Sequence, residues 1–253
     1  MLLPPKKKRL GQHFLHDQNI IDQIIDFIAP KKPDNLIEIG PGAGALTTKL
    51  LPLVNKLDVI ELDKEIIPIL EKNCDHSKKL HVHFEDVLKT DFTKFKTPLR
   101  LVGNLPYNIS TPLLFHAIKN IAAIKDMHFM LQKEVAERIV AGPGSKTYGR
   151  LSVMLQYYCG TKILLKIGSE AFSPPPKVES AFIRLIPHKK LAVKALDEKR
   201  FADIVRDAFG QRRKTIANSL KKYITAEQLE KSGINPTLRP EQLSVKEFVL
   251  ISN

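Results

Sequence analysis

Asn104-Leu105-Pro106-Tyr107 is the stretch of this sequence whose residue types and order suit a particular piece of chemistry. The Asn104 side chain offers a carbonyl oxygen as acceptor, and the Leu105 backbone carbonyl offers a second. Pro106 fixes the turn and removes a competing N–H donor, and Tyr107 presents a ring on which a base can stack. Two acceptors beside one aromatic face can hold an amine by both of its hydrogens. The 6-amino group of adenine needs such a hold, because its lone pair is delocalised into the ring and attack on a methyl sulfonium requires alignment and a pyramidal nitrogen. An amide has no useful basicity, so Asn104 acts by position rather than as a general base. The alkylated, cationic amine can then lose its proton to water. A polar turn with an aromatic residue packed beneath it uses the same residue types, so the surrounding elements have to decide.

A second group of residues suits a nucleotide-type ligand. Glu38-Ile39-Gly40-Pro41-Gly42-Ala43-Gly44 follows an apolar run and opens a helical one, and glycines there let the backbone approach a ligand that side chains would exclude. Glu61, at the end of the next apolar run, can accept hydrogen bonds from two ribose hydroxyls. Asp86, after the third run, can accept from the amino group of an adenine, although an ordinary turn aspartate would occupy the same position. Gly40, Gly42 and Ala45 also satisfy a relaxed dinucleotide fingerprint, so these residues alone leave an NAD-dependent oxidoreductase open.

These residues must be held by regular elements, and the pattern supplies them. Asp17 can cap a helix with Ile20, Ile21, Ile24, Ile25 and Ile28 at helical spacing, ended by Pro30 and Pro33. Strand-like runs then alternate with helical ones: strands at 36–39, 57–62, 80–84, 99–102 and 127–131, helices at 46–51, 66–70 and 110–121, the last with Ser110 as N-cap. Such alternation predicts a mostly parallel sheet with crossover helices. It also places Asn104 to Tyr107 at the carboxyl edge, where ligands bind in such folds. A helix at 151–158 and strands at 162–167 and 180–186 suit an antiparallel edge hairpin. Beyond Pro187-His188-Lys189-Lys190 everything reads helical, with capping boxes at Thr225 to Gln228 and Ser244 to Glu247. The expected architecture is a Rossmann-like α/β domain over residues 1–188 and a small all-helical domain over 189–253.

The 253 residues, 43% hydrophobic and 26% charged, are of ordinary globular composition. No run approaches the roughly 18 apolar residues needed to span a bilayer, and the N-terminus lacks the apolar core of a secretory signal. A cytosolic location without membrane contact is therefore expected. Two cysteines, Cys74 and Cys159, are too few for a disulfide framework and read as free thiols. A net charge of +13, partly clustered at Lys6-Lys7-Lys8-Arg9 and Arg212-Arg213-Lys214, points to a polyanionic partner. His81 and His83 share a strand face without a further ligand signature, so no metal is expected.

The chain resembles the ribosomal RNA adenine dimethyltransferase family from end to end. The resemblance is carried by Gly11 to Leu15, Glu38 to Thr47, Val59 to Asp63, Gly103 to Thr111, Phe172 to Ser180 and Phe209 to Lys214. It implies a Rossmann-like S-adenosylmethionine-dependent methyltransferase that dimethylates two adjacent adenosines near the 3' end of small-subunit (16S) ribosomal RNA, acting as a monomer on an assembling 30S subunit. Carried over by position, it implies cofactor contacts from His13, Leu15, Gly40, Gly42, Glu61, Asp86 and Asn104. The base would be held by Asn104, Leu105, Pro106 and Tyr107 and clamped between Tyr107 and Phe172. Arg212, Arg213, Lys214, Lys221 and Lys222 would meet RNA phosphates, with Ile216 and Leu220 facing inward. Position 13 departs from the family, being histidine where asparagine is frequent. Methyltransferases acting on large-subunit RNA share most of these motifs, and a non-catalytic assembly factor could keep the same surface. The Asn104-Leu105 pairing and the Gly210 to Lys214 segment favour the small-subunit enzyme.

Overall fold

The computed structural model describes residues 13–211 and 213–253. The basic cluster at 6–9, Gly11, Gln12 and Arg212 lie outside the described residues. The chain divides into two compact units. One is built from the residues up to 136 and 162–187, the other from 137–161 and 188–253.

The first unit begins with a short strand, β1 (Phe14–Leu15), and the helix α1 (Gln18–Ile28). Asp17 caps α1 by accepting from the Asn19 and Ile20 backbone N–H groups, and Ile21, Ile24 and Ile28 form its buried stripe. There follow β2 (Asn35–Ile39), α2 (Thr47–Leu50), β3 (Leu57–Glu61), α3 (Ile67–Asn73), β4 (Leu80–Phe84), β5 (Leu99–Asn104), α4 (Ser110–Lys119), β6 (Ile124–Gln132) and α5 (Lys133–Val140). After α6 (Arg150–Tyr158) come β7 (Cys159–Ile167), β8 (Phe172–Ser173) and β9 (Ser180–Pro187). Seven strands form one sheet in the order β4-β3-β2-β5-β6-β9-β7. The first five run parallel and β9 runs antiparallel to β6. Every residue of β3 is buried, as are the first five of β5, because helices cover both faces of such a sheet.

The sheet grows outward from β2 in both directions, so the order reverses between β2 and β5, and a crevice opens there at the carboxyl ends. Gly103 permits the close approach of these two strands. A Cβ at that position would stand 2.4 Å from the Ile39 carbonyl oxygen, nearer than real contacts allow. At the opposite edge, the buried Arg100 guanidinium donates to Asp34 at 2.7 Å, to Asp126 at 2.9 Å and to the Ile28 carbonyl at 2.6 Å, tying α1 to the sheet.

Three details differ from the sequence-based expectation. Ser110 is the first residue of α4 rather than its cap, because its hydroxyl turns back onto the Pro106 and Tyr107 carbonyls at 3.2 and 3.0 Å. The pairing of β1 with β8 and the helix α5 were not anticipated, since two-residue strands carry no period and α5 follows β6 without a break.

The second unit is helical: α6, α7 (Glu198–Gly210), α8 (Ile216–Ser219), α9 (Ala226–Lys231) and α10 (Val245–Ser252). The expected division at residue 188 placed α6 with the sheet, whereas the compact units group it with α7 and α10. The cause is aromatic packing: the rings of Tyr157 and Phe201 lie 4.5 Å apart, and both residues are buried. The capping boxes at Thr225 and Ser244 are formed as their spacing predicts.

Candidate active site

Parallel register brings the chemistry-bearing residues of the first unit to one edge. Ile39 pairs with Ile60 and Glu38 with Val102, so Gly40, one step past β2, lies beside both Glu61 and Asn104. A Cβ on Gly40 would stand 3.9 Å from the Asn104 carbonyl oxygen and 3.8 Å from the Pro106 ring. Gly40, Gly42 and Gly44 all have positive φ, a conformation costly for other residues, and Gly42 also faces the Phe14 ring at 3.2 Å from where a Cβ would be. Above this loop opens a cleft lined by His13, Leu15, Glu38, Glu61, Asn104 and Tyr107 among others. A second hollow also borders Gly40, where Ile60, Leu62, Val87 and Ile109 give apolar walls and Glu85 and Asp86 polar ones.

Each carboxylate is set differently. Glu61 accepts three backbone N–H groups, from Leu62 and Asp63 at 2.8 Å each and from Gly42 at 3.3 Å. Burial raises its carboxyl above the ordinary range, and those donors oppose the rise. Glu38 is 2% exposed and accepts from the Thr47 hydroxyl at 2.7 Å. Burial, assisted by the Glu61 charge, outweighs that hydrogen bond and pushes it up to about 7. Asp86 caps a one-turn helix by accepting from Leu88 N–H at 3.0 Å, which orients its carboxylate at the rim of the second hollow.

Around the Asn-Leu-Pro-Tyr turn the backbone is over-determined. Leu105 N–H donates to the Met130 carbonyl, the Leu105 side chain is buried, and the Pro106 carbonyl accepts from Ile109 N–H and the Ser110 hydroxyl. The Asn104 side-chain NH₂ donates to the His13 backbone carbonyl at 3.0 Å. That bond fixes which end of the amide faces away, leaving Oδ1 on the other side of the group. The Tyr107 hydroxyl is hydrogen-bonded to the Ser180 hydroxyl at 2.9 Å. Its ring stacks on His13, with centroids 5.6 Å apart and planes 29° apart. The His13 Nδ1–H donates to the Pro174 carbonyl at 2.7 Å.

Phe172, expected to clamp a base against Tyr107, is 2% exposed and packs in the apolar core with Leu15, Val102, Met130 and Phe182. Antiparallel pairing of β8 with β1, which sets Leu15 opposite Phe172, turns the ring inward. Its ring packs behind the strand that precedes the cleft, and the ring beside Tyr107 is that of His13. Leu62, Val87, Ile109 and Glu38 line the two hollows without having been singled out from sequence. Their signal was only adjacency to Glu61, Asp86 and the glycine loop, which core residues share.

In the helical unit, Arg213, Lys214, Lys221 and Lys222 are exposed, and Ile216 and Leu220 are fully buried. Lys214, Lys221 and Lys222 line a shallow hollow together with Arg206, Gln211 and Asn218. Lys222 is partly engaged, pairing with Asp207 and lying 4.7 Å over the Tyr223 ring. Cys74 and Cys159 are buried free thiols. Among the described residues, no helix is long and apolar enough to cross a membrane, and no three His, Cys, Asp or Glu side chains come together as metal ligands would.

A parallel sheet with its order reversed at a glycine loop, carboxylates at successive strand ends and an antiparallel far edge is the fold of the Rossmann-like, S-adenosylmethionine-dependent methyltransferases. The likeness to solved structures is consistent with this. A dimethyladenosine transferase from Plasmodium falciparum superposes with a TM-score of 0.82 at 29% identity, covering 94% of this chain and 96% of that one. A 23S rRNA methyltransferase, ErmE, does so with a TM-score of 0.74 at 22% identity, covering 94% and 99%, a likeness of fold alone. The chain belongs to the ribosomal RNA adenine dimethylase family, whose model matches residues 5–253. Its relatives include the ribosomal RNA small subunit methyltransferase A of Hydrogenovibrio crunogenus, 53% identical over 98% of this chain and 95% of the relative. The protein of the same name from Coxiella burnetii is 50% identical over 98% and 97%.

Proposed function

We propose that this protein transfers methyl groups from S-adenosylmethionine to the exocyclic amines of two adjacent adenosines near the 3' end of small-subunit ribosomal RNA. The observation that carries the reading is the Asn104 amide, pinned by its NH₂ to the His13 carbonyl within a cleft shared with the glycine loop and Glu61.

The residues present fit this methyl donor. Glu61, held by backbone N–H groups, suits a pair of ribose hydroxyls, and the slot between Leu62, Val87 and Ile109, with Asp86 at its end, suits an adenine ring. His13, Leu15, Gly40, Gly42 and Asn104 line the remainder, toward the reacting end. When bound, S-adenosylmethionine supplies a methyl carbon made electrophilic by its sulfonium.

The protein's own contribution is alignment. Asn104 Oδ1 and the Leu105 carbonyl accept the two amine hydrogens and favour the pyramidal nitrogen, while Pro106 keeps the turn closed. Tyr107, its hydroxyl tethered to Ser180, offers a ring on which the extruded base stacks once His13 gives way. No group in the turn need act as a base, since the methylated ammonium is acidic enough to lose its proton to water. Arg212, Arg213, Lys214, Lys221 and Lys222 position the RNA through its phosphates, and the fold of the RNA selects the adenosines. The protein acts in the cytoplasm as a monomer on an assembling small subunit.

Incubation with labelled S-adenosylmethionine and undermethylated small subunits, followed by mapping of modified adenines, tests this. Label is expected at two neighbouring adenosines near the 3' end. No transfer, or label confined to large-subunit RNA, would defeat the assignment.

A further inference from the structure

Among the described residues, Glu38 is the one carboxylate lining the cleft to which the alignment mechanism gives no task. It lies two residues before Gly40, near the end of β2, and lines the same cleft as Gly40, Asn104 and Pro106, which abut one another there. Asn104 holds the amine that accepts the methyl group, so the sulfonium must come near this point, with the ribose displaced toward Glu61. Glu38 therefore stands at the end of the cleft where positive charge is present before the reaction and gone after it.

The surroundings of Glu38 leave its charge finely balanced. It is buried, it accepts one neutral hydrogen bond from Thr47 on α2, and it feels the negative charge of Glu61 at the end of β3. Past α3 lies Cys74, whose thiol burial and the Glu38 charge push up to about 11, so it stays neutral. His13 and Tyr107 border the same cleft from β1 and from the turn after β5. Burial disfavours the carboxylate and a nearby cation restores it. With Glu38 up to about 7 in the protein alone, a single charge entering or leaving the cleft is enough to change its protonation near neutral pH.

We propose that Glu38 reads the charge of the bound cofactor: it stands as a carboxylate opposite the sulfonium methyl donor and as a neutral acid opposite the spent thioether. The balance is simple. When the methyl group leaves, the sulfur becomes neutral, the product ammonium releases one proton to solvent, and Glu38 takes one up. When fresh methyl donor replaces the thioether, Glu38 gives that proton back. The site thereby favours the loaded cofactor and relaxes its hold on the product without any movement of the chain. This rests on S-adenosylmethionine being the methyl donor.

The test is calorimetric titration of the intact protein at pH 7 with S-adenosylmethionine and, separately, with S-adenosylhomocysteine, each in two buffers of different ionisation enthalpy. The two ligands share every group except the methyl sulfonium. The expected result is proton release on binding the sulfonium and none, or uptake, on binding the thioether. In Glu38→Gln, whose amide oxygen can still accept from Thr47, this difference should vanish and the affinity ratio of the two ligands should fall about tenfold. Thr47→Val, which removes the hydrogen bond favouring the carboxylate, should increase proton release in the otherwise unaltered site. Equal proton counts for the two ligands in the native protein would overturn the proposal, as would equal weakening of both by Glu38→Gln. Failure of both ligands to bind the native protein would overturn the donor assignment as well, so the two failures are distinguishable.

Discussion

At the scale of single residues, the proposed mechanism asks geometry rather than acid–base chemistry of Asn104, and this separates its expected effect from that of its neighbours. Asn104→Ala removes one acceptor and the bond to the His13 carbonyl. Turnover should fall by about 100-fold or more, as misalignment of reacting groups does, while RNA affinity by filter binding changes little. Tyr107→Ala should act mainly on RNA, raising KM by the loss of a base stack, about 1–3 kcal/mol. Glu38 carries a stability signature of its own. Its carboxyl lies at about 7 in the fold against 4.5 when unfolded, so the folded state prefers the neutral acid. Below about 4.5 both states are protonated and nothing is lost. As pH rises from 4.5 to 7 the unfolded chain ionises more readily, and stability declines until the full penalty stands above 7. Urea denaturation of the ligand-free protein should show Glu38→Gln gaining on the native chain through this window and level above it.

At the scale of elements, the site depends on how closely β2 and β5 approach and on the clasp of β1 with β8. Gly103→Ala drives a Cβ into the Ile39 carbonyl, and because the obstacle is backbone no rotamer relieves it. A loss of about 1–3 kcal/mol in chemical denaturation is expected. It should be accompanied by weaker S-adenosylmethionine binding, because Gly40 and Asn104 flank the same displacement. The clasp explains why Phe172 is buried. Its ring anchors β8, β8 holds β1, and β1 delivers His13 and Leu15 to the cleft. Ser244→Ala, which removes the capping box of α10, is expected to cost about 1 kcal/mol of stability without touching the cleft.

At the scale of the whole molecule, the proposed function assigns the +13 charge and the exposed lysines of the helical unit to affinity for RNA, not to choice of base. Charge reversal at Lys214 and Lys221 should weaken RNA binding and flatten its dependence on salt, by a slope of about 0.7 to 0.9 for each phosphate no longer neutralised. Binding of S-adenosylmethionine should be unchanged in the same variant. Loss of both together would contradict a division of labour between the two units.

The sequence by itself determined the order of the longer strands and most helices, the glycine loop, Glu61 and Asp86 at strand ends, and the Asn104 to Tyr107 turn. These are local: hydrophobic period, capping residues and glycine at positive φ act over a few neighbours. Only the tertiary structure decided three other matters. It paired β1 with β8 across some 160 residues, setting Phe172 in the core and His13 against the ring of Tyr107. It drew α6 into the helical unit through the packing of Tyr157 on Phe201. It also buried Glu38 beside Glu61, turning an unremarked acid at the start of a glycine loop into a titrating group. Burial and charge coupling depend on what packs around a residue from elsewhere in the chain, and residue types and spacing do not carry that information.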